Sequence, residues 1–221
     1  MNRYFVGVDL GQAKDFTAIA AVERAELTGG WDPAMYAWRK VAALRLRYLE
    51  RAPLGTPYPE VVERVVQVAR SRELAGRCQM AVDATGVGRP VVDLLRKARP
   101  GCTILAATIT GGERESHEAG YYRVPKRDLI TGLQVLLQTG GLQIAGGLKH
   151  GPALAAEMAE MRVKVSGAGR EQYGAWREGT HDDLVFAVAL ACWAALKSYP
   201  GGLSGDERWR GAGEERKGRI V

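Results

Sequence analysis

Acidic side chains stand at three widely separated places in this chain where they could share a metal ion. Asp9 ends the apolar segment 4–8, Asp83 ends the apolar segment 79–82, and Asp182 and Asp183 open a long apolar segment. A carboxylate at the edge of a buried strand is costly to desolvate unless a positive group meets it, and divalent cations bind carboxylate oxygens readily. The sequence therefore predicts a metal-dependent enzyme whose metal ligands and catalytic residues are Asp9, Asp83, Asp182 and Asp183.

The donor set favours Mg²⁺ or Mn²⁺. Mg²⁺ keeps several waters and takes few protein ligands, so an all-carboxylate, water-rich site suits it or Mn²⁺, whereas zinc would favour imidazole or thiolate ligands. Without an ion, clustered aspartates repel one another, which predicts a raised pKa for at least one of them.

Three further residues are predicted to assist the aspartates. Lys126 places a cation at the N-terminal end of a predicted helix, which is unfavourable for the helix and indicates a contact with a phosphate or a site carboxylate. His181 precedes the acidic pair and fits an outer position, from which it would place water or touch phosphate. Asp15 lies in the loop after the first strand, where a structural turn and an accessory role are both open.

Each aspartate also has a purely structural interpretation. Aspartate at a strand end commonly begins a turn, which would account for Asp9 or Asp83 taken singly. Thr180 and Asp183 have the spacing of a helix capping box, and the helix dipole favours acidic residues in a first turn. A cap needs only one carboxylate, however, so the adjacent Asp182 favours ligation.

The surface charge favours a polyanionic partner. The formal net charge is +6 with both signs interspersed, so nucleic acid is the predicted partner class, and an ordinary basic protein is the alternative. Contacts to phosphates do not read sequence, so we expect little sequence specificity and binding that weakens steeply with salt. For Arg45 and Arg47, a charged edge strand is an alternative interpretation. The predicted DNA-binding residues are Arg45, Arg47, Arg123, Lys126 and Arg127.

The first half of the chain predicts the element order β-β-β-α-β-α-β. Its first three strands cover residues 3–9, 16–24 and 35–49. The segments 28–30 and 32–33 together mark a turn before the third strand, which gives an antiparallel meander. A helix with one apolar face begins after Pro59 and ends near Gly76. The remaining elements are a strand over 79–83, a helix over 87–98 and a strand over 102–108.

The second half predicts three helices with short extended pieces between them. An irregular stretch over 111–120 leads through an extended piece to a helix over 125–139, with Pro125 at its first position. A short strand over 142–145, a helix over 148–163 and a hairpin around 172–176 follow, and the last helix, 180–197, is apolar nearly all round and therefore buried. We expect one domain over 1–199 and a flexible, charged, Gly-rich tail over 200–221.

The cysteines and the hydropathy pattern favour a cytoplasmic protein. Cys78, Cys102 and Cys192 are odd in number, widely separated and set among apolar neighbours, which is typical of buried, reduced thiols. No secretory leader pattern opens the chain, and its most apolar segment, 184–196, is too short to span a bilayer.

The order of the motifs resembles that of the nuclease domain of phage terminase large subunits, within the RNase H-like (retroviral integrase) superfamily. The resemblance covers residues 3–197, and four motifs in register are far more specific than any one alone. It implies an α/β fold in which a central mixed β-sheet, an antiparallel three-strand meander plus parallel strands, is flanked by helices. The motifs are Val8-Asp9-Leu10-Gly11 with Asp15-Phe16-Thr17-Ala18, Val82-Asp83-Ala84-Thr85-Gly86-Val87-Gly88, Val124-Pro125-Lys126 and Gly179-Thr180-His181-Asp182-Asp183-Leu184.

The resemblance implies a metal-dependent endonuclease that cuts double-stranded DNA during viral genome packaging. It also implies partners, namely a terminase ATPase domain, a small terminase subunit and a portal, and action in the bacterial host cytoplasm. One departure is that the chain has no G-x-x-x-x-G-K-[ST] phosphate loop. The chain is therefore either the nuclease portion alone or a stand-alone relative.

The chemistry of phosphodiester hydrolysis leads to the same site. Two cations about 3.5–4 Å apart would supply a water deprotonated near neutral pH, charge relief on the phosphate and stabilisation of the leaving alkoxide. Asp9, on the central strand, would bridge both ions, and Asp83 would bind one. Asp182 or Asp183 would bind the other.

Other functions fit parts of the pattern. A nucleotide-binding protein of the actin, Hsp70 and sugar-kinase type would use the segments 9–11 and 83–88 as phosphate turns, but it needs two such domains, and 221 residues are too few. A DNA-binding or portal-docking module with an inactive site is opposed by the intact carboxylate set. A Holliday-junction resolvase or a transposase core shares the fold and the metal chemistry and is the alternative within the nuclease class.

Overall fold

A computed structural model describes residues 3–11, 15–86, 88–165, 171–174 and 181–198, and within them the chain alternates between strands and helices. The strands are β1 (Tyr4–Asp9), β2 (Ala18–Asp32), β3 (Ala37–Arg51), β4 (Cys78–Asp83), β5 (Thr103–Thr110), β6 (Ser116–Glu118), β7 (Tyr121–Pro125), β8 (Leu142–Ile144), β9 (Arg162–Val165) and β10 (Glu171–Gly174). The helices are α1 (Tyr58–Ala69), α2 (Gly88–Ala98), α3 (Lys126–Gln138), α4 (Gly151–Glu160) and α5 (Asp183–Ser198).

One mixed sheet organises the described residues. Its strand order is β6-β7-β5-β4-β1-β2-β3-β8. β1, β2 and β3 are antiparallel neighbours, whereas β1, β4, β5 and β7 run parallel. β9 and β10 form a separate hairpin. The predicted α/β class, with an antiparallel three-strand meander continued by parallel strands, is confirmed.

The sheet separates two hydrophobic cores. Alternate residues of a strand point to opposite faces, so Phe5 packs beneath α3, α4 and α5, while Val6 and Val8 pack beneath α1 and α2. α5 is buried along most of its length, as its apolar composition predicts. The fold therefore clamps the central strand β1 between two helical layers.

Helix α5 approaches β1 closely at Gly7. A Cβ atom added at Gly7 would lie 1.9 Å from the carbonyl oxygen of Ala187 and 2.6 Å from the backbone nitrogen of Ala191. Both are backbone atoms, so only a shift of the helix or of the strand would relieve the clash. This contact sets the distance between the strand that carries Asp9 and the helix that begins with Asp183.

We expect Gly7→Ala to destabilise the fold by about 2–3 kcal/mol, since overpacking a core typically costs 1–3 kcal/mol. In a chain of this size the melting temperature would fall by about 4–12 °C, which circular dichroism would detect. Gly30→Ala is the matched control, because Gly30 also lies in a strand but no atom lies within 4 Å of an added Cβ. Equal melting temperatures for the two variants would contradict the close approach of α5.

The β2–β3 hairpin is longer than the sequence predicts. The predicted turn at 28–30 lies inside β2, which accommodates it by a bulge between Thr28 and Trp31, and the chain reverses at 33–36. The Asp32 carboxylate accepts the backbone N–H groups of Ala34 and Met35 at 3.0 and 3.3 Å. The predicted turn is thus confirmed at its 32–33 end, whereas its 28–30 end is part of β2.

Other element boundaries also differ from the predictions. The stretch 111–120, predicted to be irregular, contains β6, which pairs with β7. α1 ends at Ala69 rather than near Gly76. α4 covers Gly151–Glu160 rather than 148–163, since Pro152 lies in its first turn and Met161 is extended. Pro125 precedes α3 as its N-cap residue instead of opening it.

Some predictions concern residues outside this description, namely the tail over 200–221 and Thr180 of the capping box. Cys78 and Cys192 are buried and Cys102 is half-buried, and all three thiols are free. Within the described part of the chain, no helix combines the length and apolarity that crossing a bilayer requires.

Candidate active site

The four predicted metal-binding aspartates lie around one pocket of about 350 Å³. β1 and β4 are parallel neighbours with Val8 opposite Val82, so the residues that follow, Asp9 and Asp83, leave the sheet at the same edge. α5 packs against β1 and brings its first turn to this edge. Every predicted catalytic and accessory residue lines the pocket: Asp9, Asp15, Asp83, Lys126, His181, Asp182 and Asp183.

Asp9 is the electrostatic centre of the pocket. Burial raises the pKa of Asp9 well above its ordinary value, because a charge is costly in a medium of low polarity. The neighbouring carboxylates raise this pKa further, in the order Asp83, Asp182 and Asp183, and the Lys126 ammonium acts in the opposite direction. The predicted raised pKa is confirmed, and a bound cation would remove much of the cost of ionising Asp9.

Asp83 stabilises a turn and also lines the pocket. Its Oδ1 accepts the backbone N–H of Thr85 at 2.8 Å and the Thr85 hydroxyl at 2.5 Å. The Thr85 Oγ1 in turn accepts the N–H of Ile109 at 2.9 Å. Burial raises the pKa of Asp83, while the bonds from Thr85 and Asp9 lower it. The turn needs only Oδ1, so the structural interpretation of Asp83 does not exclude ligation.

Lys126 lies next to Asp182, one of the two contacts that the sequence predicts for it, a phosphate or a site carboxylate. Its Nζ lies 3.5 Å from Asp182 Oδ2, and both side chains are about one-third exposed, at 33% and 32%. The same Nζ lies 4.3 Å from the centre of the Phe186 ring. Exposed ion pairs contribute only about 0–1 kcal/mol, so a cation or a phosphate could readily displace this one.

His181 and Asp15 also line the pocket. The His181 ring packs edge-on against Phe16, with ring centres 4.7 Å apart. Asp15 reaches the pocket from an exposed loop. The accessory roles of both residues stay predictions.

Two neighbours of the acidic pair, Arg51 and Glu157, are not predicted by the sequence pattern. Arg51 ends β3 and binds the Asp183 carboxylate, and Glu157 of α4 binds Arg51. Arg51 lies in a basic stretch of β3, and no feature of the sequence distinguishes it from the other basic residues there. Glu157 has no local pattern that would single it out.

The predicted DNA-binding residues on β3 lie outside the pocket. The Nε of Arg45 donates to the side-chain oxygen of Gln143 at 3.0 Å. The Nε of Arg47 donates to the carboxylate of Glu23 at 2.8 Å. The predicted alternation is present, because Leu44 and Leu46, which alternate with these arginines along β3, are fully buried.

The other predicted DNA-binding residues lie closer to the pocket. Arg123 is exposed on β7, and Arg127 is exposed in the first turn of α3, next to Lys126. Arg127 donates to the carbonyl oxygen of Glu113 at 3.3 Å. Among these described side chains, Lys126 lines the pocket and the four arginines do not.

The donor chemistry of the pocket fits Mg²⁺ or Mn²⁺, since its acidic donors are carboxylates. As the side chains stand, the described residues contain no group of three or more His, Cys, Asp or Glu side chains close enough to hold an ion. Lys126 pairs with Asp182, Arg51 binds Asp183, and neighbouring carboxylates repel one another. Displacement of the partly exposed Lys126–Asp182 pair would free the Asp182 carboxylate for a cation.

Comparisons of the sequence find no matching family model and no similar curated protein. Solved structures do match. The large terminase nuclease from thermophilic phage G20c with bound magnesium is 20% identical, with a TM-score of 0.58 over 86% of this chain and 80% of that chain. The nuclease domain of the large terminase from bacteriophage SPP1 with bound Mn is 12% identical, with a TM-score of 0.52 over 88% and 87%.

A third similar structure is a mutant nuclease domain of the large terminase subunit gp2 of bacterial virus Sf6 with manganese. It is 14% identical, with a TM-score of 0.60 over 86% of this chain and 88% of that chain. At such identities the similarity shows a common fold. The predicted RNase H-like α/β fold is therefore confirmed.

Proposed function

We propose that this chain is a metal-dependent endonuclease that hydrolyses phosphodiester bonds of double-stranded DNA with little sequence specificity. Within this proposal it is the nuclease part of a viral DNA-packaging terminase large subunit. The observation that carries the proposal is the convergence of four aspartates from remote parts of the chain on one pocket. Proteins with the same fold are terminase nucleases described with bound magnesium or manganese, the ions that this donor set suits.

Each aspartate has a proposed role. Asp9 would bridge two ions, because it lies on the central strand β1, which pairs with the strand that carries Asp83 and packs against the helix that the acidic pair opens. Asp83 would hold one ion, and Asp182 or Asp183 the second. When bound, the ions supply an activated water and relieve charge on the phosphate and the leaving oxygen.

The remaining pocket residues handle the substrate. Lys126 would exchange its exposed pair with Asp182 for a phosphate oxygen, which places the scissile phosphate beside the carboxylates. His181, held against Phe16, would orient water or phosphate at the rim. Asp15 is a proposed accessory carboxylate.

The proposed path of the DNA backbone starts at Lys126 and continues over the exposed arginines next to it. Arg123 and Arg127 flank Lys126 and would hold phosphates on either side of the cut. Arg45 and Arg47 lie farther away and would contact DNA only if the duplex crosses β3. Such contacts do not read bases, so cleavage would depend strongly on salt and weakly on sequence.

The proposed setting is the cytoplasm of a bacterial host, where packaged DNA is cut. The proposed partners are an ATPase domain, a small terminase subunit and a portal. These assignments rest on the common fold and on the resemblance of the motifs.

The test of the proposed function is cleavage of supercoiled plasmid by the purified chain in Mn²⁺ or Mg²⁺. We expect nicked and linear products without a fixed cutting position. A four-way DNA junction assayed in parallel tests the resolvase alternative, because a resolvase would cut the junction in strong preference to the plasmid. A folded chain that cuts neither DNA in either ion would overturn the proposal.

A further inference from the structure

Behind the candidate active site, Arg51 holds both carboxylate oxygens of Asp183. Its Nε lies 2.8 Å from Oδ2 and its Nη2 lies 3.1 Å from Oδ1. The Arg51 side chain is 17% exposed and that of Asp183 is 6% exposed. Because a planar guanidinium bound to two oxygens fixes the orientation of a carboxylate as well as its position, this pair determines the direction in which Asp183 faces.

Glu157 connects Arg51 to the start of helix α5. Its Oε1 accepts a hydrogen bond from Arg51 Nη2, and its Oε2 accepts the backbone N–H of Val185 at 3.2 Å. Val185 lies in the first turn of α5, where backbone N–H groups have no acceptor within the helix. Glu157, itself buried, therefore anchors both the arginine and the first turn of the helix that begins at Asp183.

The Arg51 guanidinium is also packed against an aromatic ring. Its central carbon lies 4.9 Å from the centre of the Phe16 ring, a cation–π distance. His181 packs edge-on against the same ring. Arg51, Phe16 and His181 thus form one packed unit beside the acidic pair, which limits the freedom of the guanidinium.

We infer that Arg51 and Glu157 are positioning residues, which hold the first turn of α5 so that its acidic pair faces the candidate metal site. This inference rests on the proposed function, since the pair needs this orientation only if an ion binds there. A carboxylate offers about four lone-pair sites, of which Arg51 uses two, so Asp183 keeps others for the pocket that it lines. Neither positioning residue has to touch an ion or DNA.

A network that only stabilised the fold would contain the same contacts. The test therefore has to separate the effect of the two-point contact of Arg51 from the effect of its positive charge. Arg51→Lys keeps the positive charge but loses the planar two-point contact. Removal of the charge would by itself strengthen the attraction of cations to the remaining carboxylates and would hide a loss of geometry. Arg51→Lys is therefore the informative substitution.

Arg64→Lys is the matched control. Arg64 lies on α1, in the helical layer on the other side of the sheet, and its Nε binds Glu50 at 2.9 Å. Glu50 immediately precedes Arg51, so the control also replaces a guanidinium that binds a carboxylate on β3. It leaves the pocket untouched.

The experiment is calorimetric titration of Mn²⁺ into the full 221-residue chain without DNA. We expect Arg51→Lys to bind Mn²⁺ about tenfold more weakly, within the range of 10–100-fold observed when the outer partner of a metal ligand is lost. We expect Arg64→Lys to bind Mn²⁺ like the wild type. In the cleavage assay, Arg51→Lys should need correspondingly more Mn²⁺ and recover most of its maximal rate at saturation, which a mere loss of stability would not produce.

Glu157→Gln is the second variant. It keeps an oxygen that can accept the Val185 N–H and loses the charge that pairs with Arg51, so Mn²⁺ binding should weaken by a smaller factor. If Arg51→Lys does not fold, as judged by circular dichroism, the Mn²⁺ affinity of Glu157→Gln decides whether the positioning role holds.

Unchanged Mn²⁺ affinity in the deciding variant would overturn the positioning role, and so would failure of both variants to fold, since the network would then serve folding alone. These outcomes are distinct from failure of the proposed function. A wild-type chain that binds no Mn²⁺ would reject the metal site itself, whereas wild-type binding with unaffected variants would reject only the role of Arg51 and Glu157.

Discussion

Asp9→Asn is expected to abolish plasmid cleavage and, at the same time, to make the metal-free protein more stable. The loss of activity should be at least about 10²–10³-fold, the order observed when a group that stabilises developing charge is removed. The variant loses the carboxylate that would bridge the ions. Its amide is nearly the same size, so the packing of β1 against α5 should be kept.

The gain in stability follows from the raised pKa of Asp9. Burial and the neighbouring carboxylates raise this pKa in the folded state, so at neutral pH the ionised Asp9 costs folding free energy. The neutral amide of Asn does not carry this cost. Each kcal/mol recovered would raise the melting temperature of a chain of this size by about 2–4 °C.

The effect has a definite pH dependence. Between the unfolded-state pKa of about 3.9 and the raised folded-state pKa, the folded protein binds more protons, so the contribution of Asp9 to stability falls as pH rises. The Asn variant lacks this dependence. The difference in unfolding free energy between the variant and the wild type should therefore be larger at pH 8 than at pH 5.

Urea unfolding of metal-free protein at pH 5 and pH 8, together with plasmid cleavage in Mn²⁺, measures both effects. Asp93→Asn is the control, because Asp93 lies on the exposed side of α2 and its side chain is 70% exposed. The control should retain cleavage and show little change in stability. Near-normal cleavage by Asp9→Asn would contradict the assignment of Asp9, and lower stability would indicate a purely structural aspartate.

Metal removal is the second change with a large expected effect. Excess chelator should abolish plasmid cleavage, because the water and the leaving oxygen would lose the ions that activate and stabilise them. Added Mn²⁺ should restore cleavage. Chelation should not unfold the chain, since Lys126 and Arg51 partly balance the carboxylates when no ion is bound.

Binding should also be visible without DNA. A ligand at 100 times its dissociation constant stabilises the folded state by about 2.7 kcal/mol, which corresponds to about 5–11 °C in melting temperature for a chain of this size. Differential scanning calorimetry with and without Mn²⁺ measures this shift. Asp9→Asn should lose most of the shift, and cleavage that continues unchanged in excess chelator would refute metal dependence.

The location of the candidate site follows from strongly patterned segments. Asp9 and Asp83 each end a short apolar run, and the parallel pairing of β1 with β4 brings the two to one edge of the sheet. Asp183 begins the most apolar helix, which has to be buried against that sheet. Hydrophobic burial therefore brings the acidic residues together, and the apolar pattern that drives burial can be recognised in the sequence.

Local turn preferences were a poorer guide where long-range pairing opposed them. Two consecutive glycines, Gly29 and Gly30, favour a turn, yet β2 continues past them. Trp31 lies opposite Trp38 and packs edge-on against it, and such cross-strand aromatic pairs stabilise a hairpin. The energy of the longer hairpin outweighs the preference of the glycine pair.

The arginines of β3 show that local sequence is also a poor guide to the partners of charged groups. In sequence, Arg45, Arg47 and Arg51 look alike, and each could face a phosphate backbone. In the structure Arg47 binds Glu23, whereas Arg51 is largely buried against Asp183. Burial and partner, which distinguish them, depend on what the rest of the chain places beside each residue.

The sequence by itself determined which carboxylates this protein offers, which strand ends and helix start carry them, and therefore which ions suit them. Only the tertiary structure decided that Lys126 stands beside Asp182 and that Arg51 and Glu157 stand behind Asp183. The Arg51 contacts join residues 132 and 106 positions apart. Hydrophobic periodicity encodes burial, but it does not encode which charged groups meet once the buried faces have packed.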